Sequence, residues 1–285
     1  MRIAFAANRA SGGGLDPEPL AEAMRSRGAV VAVFGCQDDD LERAAEWGPE
    51  RVAVAGGDGT IGSAADLAGR LDVPLAVIPT GTANDFARAY GLPANELAAA
   101  ALAADGEETR PLELGRLADG RPFVNVASAG LASVAARNAQ PLKPRLGPLA
   151  YGVGAVRAAA REKPLPVTVR ADDRTVFDGE CWQLIVAVSG AFGGGSGVAE
   201  ADPDDGRLDV VVIPAGSRAG LARRAYGLRR RTIAQQHDVP HETGHVIEVT
   251  LPPGSEINVD GEIREGGLER VTVQPGGFRL VVKAP

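Results

Sequence analysis

The sequence predicts an α/β amino-terminal domain with a parallel sheet, followed by a mainly antiparallel β-sandwich domain. Three observations carry this. Over the first hundred residues, short apolar runs alternate with stretches of helical spacing, as strands and helices in turn require. Beyond residues 105–110 most runs alternate with period two and turns become frequent. Three glycine-rich turns in the first part each follow an apolar run and precede a helix, where parallel sheets bind ligands.

In chain order, Ile3–Ala7 reads as a strand, Pro17–Arg27 as a helix, Val30–Phe34 as a strand and Leu41–Trp47 as a helix. Arg51–Ala55 is apolar and leads through GGDGT into the Ala-rich stretch Ile61–Arg70. Leu75–Ile78 leads into PTGTANDFARAYG, and Asn95–Ala104 reads as a further helix. The second part offers strands at Phe123–Ala127, Val167–Arg170, Trp182–Val188, Leu208–Ile213, Val246–Leu251, Glu256–Val259, Val271–Val273 and Phe278–Val282, with helical inserts at Gly147–Arg161 and Ser217–Ile233. The expected domains are 1–107 and 108–285, with the last strand free to return to the first. A length of 285 residues suits two domains.

Composition narrows the function classes. Thirty Lys and Arg against 37 Asp and Glu give a net charge of −7, which argues against a nucleic-acid partner. Aromatic residues are 4% of the chain, so the cores must be Ala, Val and Leu. No apolar run approaches the roughly 18 residues of a membrane span, and Ile3–Ala7 is too short for a secretory leader. Cys36 and Cys181 make no disulfide framework, so a reduced, cytoplasmic setting is the expectation.

The glycine-rich turns are Asn8-Arg9-Ala10-Ser11-Gly12-Gly13-Gly14, Gly56-Gly57-Asp58-Gly59-Thr60 and Pro79-Thr80-Gly81-Thr82-Ala83-Asn84-Asp85. Glycine lets the backbone approach a phosphate, and successive N–H groups at helix N-termini bind anions. Any one of them could be no more than a tight strand-to-helix turn; three at strand ends point to a shared phosphate-binding crevice. Gly57 to Gly62 also satisfies G-x-G-x-x-G. A dinucleotide fold, however, expects an acidic residue about 20 positions on, and here that strand ends in Pro79-Thr80-Gly81. Asp58 inside the loop would repel a pyrophosphate unless a cation lay between them, which suits Mg²⁺ with a nucleoside triphosphate.

SGG near the start, GGDGT and PTGTANDFAR resemble the diacylglycerol kinase catalytic domain family, soluble lipid kinases related to sphingosine, ceramide and NAD kinases. Lys143–Tyr151, Gly193-Gly194-Gly195, Ala201–Asp209 and Val259-Asp260-Gly261-Glu262 agree in order, so the resemblance covers nearly the whole chain. It implies an NAD-kinase-like first domain and an ATP- and Mg²⁺-dependent lipid kinase, with diacylglycerol the leading acceptor. The implied catalytic residues are Asp58 at the Mg-ATP site and Glu262, the base for the lipid hydroxyl. Nucleotide contacts are implied for Asn8, Ser11, Gly12, Gly57, Asp58, Gly59, Thr60, Thr82, Asn84 and Asp85, the last in a water-linked magnesium network. A structural metal ion is implied at Asp202, Asp205 and the carbonyl of Arg207, with oxygen ligands that suit Mg²⁺ or Ca²⁺. The family's dimers extend the expectation to a homodimer.

The chain departs from the family pattern at Arg9, Gly13, Gly62, Ser63, Glu113 and Ser189. These positions sit around the expected nucleotide and magnesium sites and allow low activity, an altered substrate, or a non-catalytic lipid- or nucleotide-binding protein with a relict kinase fold. The other alternative, an NAD kinase-type enzyme, shares GGDGT but is not expected to carry PTGTANDFAR together with the late DGE. Lys143 or Arg145 could supply a missing positive charge. His241-Glu242-Thr243-Gly244-His245 spells H-E-x-x-H, but the zinc reading needs a helix, and this segment follows Pro240 and runs into a strand. Finally, Ser217–Ile233 carries Arg218, Arg223, Arg224, Arg229, Arg230 and Arg231, punctuated by Leu221, Tyr226 and Leu228. The bland reading is a solvated helix face with internal ion pairs. The sharper expectation is peripheral contact with anionic lipid at the inner membrane face.

Overall fold

The structure is a computed structural model that describes residues 1–11, 14–139, 162–192, 196–198 and 201–284. The chain forms two compact units, Met1–Leu114 with Gln274–Pro285, and Gly115–Val273. The expected helix Gly147–Arg161 lies outside the described residues, as do Lys143, Arg145 and Gly193-Gly194-Gly195.

In the first unit, strands β1 (Arg2–Ala7), β2 (Val30–Phe34), β3 (Arg51–Gly56) and β4 (Pro74–Pro79) pair in parallel, in the order β2-β1-β3-β4. Apolar residues fill both faces of these strands because helices cover both. Ile3, Phe5, Ala53, Ala55 and Ile78 pack against α1 (Glu18–Arg25) and α5 (Glu96–Asp105) through Leu20, Met24, Ala99 and Ala103. α2 (Asp38–Glu46) and α3 (Asp58–Arg70) bury Leu41, Ala44, Ile61, Ala64, Leu67 and Ala68. The short α4 (Asp85–Ala89) follows β4. Three helix starts are legible: Pro17 precedes α1, three aspartates open α2, and the Asn95 side chain caps α5 by accepting from Ala98 N at 2.9 Å.

β5 (Thr109–Arg116), which the sequence reading did not anticipate, carries the chain from the first unit to the second. The two compact units divide inside this strand, after Leu114, a few residues beyond the expected 107. β17 (Arg270–Val281) makes the return passage as one strand where two were expected. Gln274-Pro275-Gly276-Gly277 reads as a break, yet a bend with Gly276 at φ 58° lets the strand continue. Its end, Arg279 and Leu280, pairs in parallel with β4.

The second unit is mainly antiparallel. β6 (Pro122–Phe123), β7 (Val126–Gly130), β8 (Leu165–Ala171), β9 (Arg174–Ala187), β12 (Leu208–Pro214), β13 (His241–Gly244), β14 (Val246–Thr250), β15 (Glu256–Val259) and β16 (Glu262–Glu265) make up its main sheet. β10 (Ala191–Phe192) and β11 (Ser196–Gly197) form a separate pair. The 14-residue β9 is the hub: its polar first half pairs with β8 and its apolar second half with β7 and β12. Alternation along that second half feeds two cores. Leu184 and Val186 join Val169, Val210 and Ile247, while Ile185 and Ala187 join Val211, Ile213 and Ile233. Helix α6 (Leu131–Ala139) follows β7. Helix α7 (Arg218–Arg230) covers the second core with Leu221 and Leu228, and Ser217 caps it by accepting from Gly220 N at 3.2 Å.

Both cysteines are free thiols, and burial pushes each up to about 12, with Asp40 adding to the effect at Cys36. Because the thiolate is the reactive form, neither should react with Ellman's reagent in the native protein, and both should react in denaturant. Rapid stoichiometric labelling of the folded chain would contradict the packing around these two residues.

Candidate active site

The three glycine-rich turns meet at the carboxyl ends of β1, β3 and β4, where side chains and backbone tie them together. Asn8 donates from Nδ2 to Thr60 Oγ1 at 3.1 Å, and its Oδ1 accepts from Ala10 N at 3.1 Å. Ser11 donates to the Thr80 carbonyl at 3.0 Å, and Thr80 donates to Ser11 Oγ at 3.1 Å. Asn84, at φ 48°, folds its amide back on Gly81, accepting from its N–H at 2.9 Å and donating to its carbonyl at 2.8 Å. A Cβ at Gly81 would lie 2.6 Å from the Gly57 Cα, so only glycine allows the second and third turns to come this close. Thr82 is exposed on the third turn, and Gly59 and Thr60 lie in the first turn of α3, where the dipole favours an anion. Gly12 and Gly13 lie outside the described residues.

Asp58 is the first residue of α3, yet its carboxylate serves α4: Oδ1 accepts from Phe86 N at 2.8 Å and Oδ2 from Asp85 N at 3.1 Å. One carboxylate at the start of α3 thus accepts both amides that open α4. Carboxylate oxygen is the donor type that suits a hard cation. Asp85 is buried and pairs with Arg88. Glu113, one of the departures, is buried in β5.

The DGE segment is a two-residue hairpin. Val259 and Glu262 face each other across it, and its central residues Asp260 (φ 46°) and Gly261 (φ 92°) take the left-handed conformations that such turns need. The Asp260 carboxylate is buried and accepts three backbone N–H groups, from Val124 at 2.8 Å, Asn125 at 3.0 Å and Val126 at 2.9 Å. Those N–H groups point at a side chain and not at a neighbouring strand, so the expected strand Phe123–Ala127 is divided into β6 and β7. Asn125, which sequence reasoning missed, accepts from Ser189 Oγ at 2.6 Å, so Ser189 has a polar role in this fold. Glu262 opens β16, is 56% exposed, and receives Arg121 at 3.3 Å. Asp260→Ala is expected to cost about 3–5 kcal/mol, because buried N–H groups lose a charged acceptor and alanine resists the left-handed turn. Urea unfolding measures this, and a loss under about 1 kcal/mol would contradict the anchor.

The acidic turn before β12 is held by its own side chains: Asp202 Oδ1 accepts from Asp204 N at 3.1 Å and Asp205 Oδ1 from Arg207 N at 2.9 Å. Among the described residues, no group of three His, Cys, Asp or Glu side chains is placed to hold a metal ion. Desolvation raises the Asp205 carboxyl above its usual range, and the Asp209 and Asp202 charges add to it. Asp209 itself is buried, with Oδ1 at 2.5 Å from His241 Nε2 and Oδ2 without a hydrogen-bond partner. Crowded carboxylates with an orphan oxygen fit a hard cation in donor type. The Arg207 side chain turns away to Thr243, at 2.8 Å from its hydroxyl.

His241–Gly244 is strand β13, so His241 and His245 do not share a helical face and the zinc-peptidase spacing has no chemical meaning. No helix among the described residues is long and apolar enough to cross a membrane.

A parallel α/β unit with joined phosphate-type turns, continued into a mainly antiparallel unit, defines the fold shared by diacylglycerol kinases and NAD kinases. A solved diacylglycerol kinase from Bacillus anthracis superposes with a TM-score of 0.78 at 21% identity, covering 99% of this chain and 97% of its own. An NAD kinase from Archaeoglobus fulgidus solved with ATP does so at 0.54 and 16%, covering 99% and 93%. In sequence, the diacylglycerol kinase catalytic domain matches residues 2–117, and the YegS C-terminal NAD kinase beta sandwich-like domain matches residues 125–282. A probable YegS-like lipid kinase of Pseudomonas aeruginosa is 33% identical over 276 residues, spanning 92% of this chain and 88% of that protein. The diacylglycerol kinase of Bacillus subtilis is 31% identical, spanning 76% and 72%. The chain belongs to this family of YegS-like lipid kinases and diacylglycerol kinases.

Proposed function

We propose that the protein transfers the γ-phosphoryl group of ATP to a lipid hydroxyl, with diacylglycerol the leading acceptor. Support comes from family membership, and the single observation that carries the reading is the Asp58 arrangement, with its carboxylate on the α4 amides beside turns joined through Asn8–Thr60 and Ser11–Thr80. On this reading Asn8, Ser11, Gly12, Gly57, Gly59, Thr60, Thr82 and Asn84 hold the nucleotide. Asp58 would hold Mg²⁺, with Asp85 in its water-linked network, and the ion would supply charge neutralisation for the transferring group. Glu262 takes the proton of the attacking hydroxyl. Its pairing with Arg121 holds the carboxylate in place without burying it. Asp202, Asp205 and the Arg207 carbonyl would hold a structural Mg²⁺ or Ca²⁺ that relieves the crowding at the turn.

The reading is tested with γ-labelled ATP, Mg²⁺ and a lipid panel, products being separated by chromatography. Label is expected in phosphatidic acid. Label in no lipid, alongside phosphorylation of NAD, would move the activity to nicotinamide nucleotides.

A further inference from the structure

From Val210 to His237 the chain contains no Asp or Glu, while it contains six arginines. The first acid after this stretch, Asp238, meets both Arg223, at 2.9 Å, and Arg224. One carboxylate thus meets two guanidinium groups, and the stretch itself carries six arginines and no acid on a chain of net charge −7.

The inner and outer sides of α7 divide this charge. Leu221 and Leu228 pack on the second core, and Arg224 lies beside them, 12% exposed. Arg223, Tyr226 and Arg230, at spacings of three and four, share one outward stripe. Arg229, Arg230 and Arg231 are all exposed at the helix end. Tyr226 is 61% exposed, one of four large apolar side chains so exposed among the described residues. Arg230 donates to its hydroxyl at 3.1 Å and lies 5.5 Å from its ring centroid.

We propose that this outward face of α7 is a docking surface for an anionic lipid bilayer. Arginine presents forked donors to phosphate oxygens, and a tyrosine ring settles at the headgroup level. The rest of the chain is acidic, and an anionic surface repels it, so the patch would also set the orientation of the docked protein. This concerns where the protein sits and is independent of the phosphoryl-transfer reading, because its test measures binding without ATP.

The test is sedimentation of the full chain with vesicles of phosphatidylcholine, with and without phosphatidylglycerol. The wild type is expected to bind the anionic vesicles preferentially and to be released by salt. With each arginine contributing on the order of 1 kcal/mol, a double R229Q/R230Q variant should partition roughly 30-fold more weakly. Tyr226→Ala should weaken binding without changing its salt dependence. A control of equal charge change, R27Q/R43Q on the first unit, should stay within roughly twofold of wild type. Circular dichroism melting verifies that each variant is folded. Equal losses in the control and the α7 variant would overturn the proposal, as would a wild type indifferent to phosphatidylglycerol. Retention on duplex DNA in place of vesicles would overturn it too.

Discussion

Asp58→Ala is expected to lower lipid phosphorylation by a factor on the order of 10³ or more, the scale of losing a charge-stabilising group in phosphoryl transfer. The substitution removes two things at once: a negative charge for the metal, and the acceptor for the Asp85 and Phe86 amides. Asp58→Asn separates them. Asparagine keeps one acceptor for the start of α4 but carries no charge, so it should recover about half of a stability loss of roughly 2 kcal/mol. It should recover almost none of the activity. Urea unfolding reads the first quantity and labelled-phosphate transfer the second. Substantial activity in the asparagine variant would show that Asp58 only ties the two turns together.

Glu262→Gln should lower kcat by about 10²–10⁴, the usual contribution of a positioned general base, and leave KM for ATP nearly unchanged. The structure makes this a clean experiment. Glu262 is more than half exposed, and its partner is a surface arginine, Arg121, so stability should change by less than about 0.5 kcal/mol. Glutamine also keeps the shape and β16 pairing of the native residue. Full activity in this variant would remove Glu262 from the reaction. The neighbouring Asp260→Ala is expected to behave oppositely and act through stability, because that carboxylate is buried on three amides.

Much of the fold was legible. The strands around Ile3–Ala7, Val30–Phe34, Arg51–Ala55 and Leu75–Ile78 announce themselves as short apolar runs, since strands covered on both faces must be apolar throughout. The family motifs were legible for the same local reason: GGDGT and PTGTANDFAR are contiguous. Other elements left no readable trace. The first half of β9, Arg174–Glu180, is largely polar and becomes a strand because β8 pairs with it. β17 crosses Pro275 and two glycines because the sheet offers it partners on both sides of the bend. Asn125 looked like any residue in an alternating run until Asp260 took its N–H.

The sequence by itself determined the alternation of strand, turn and helix, the placement of glycine where the backbone must come close, and the family. Period and turn chemistry are set by neighbours along the chain, so a sequence can carry them. Only the tertiary structure decided what the key carboxylates do. Asp58 finds its amides 27 and 28 residues away, and Asp260 finds its own at separations of 134 to 136. Which arginines of α7 turn outward likewise depends on the core that Leu221 and Leu228 cover. Hydrogen bonds and burial of that reach depend on packing between distant segments, and no local pattern encodes them.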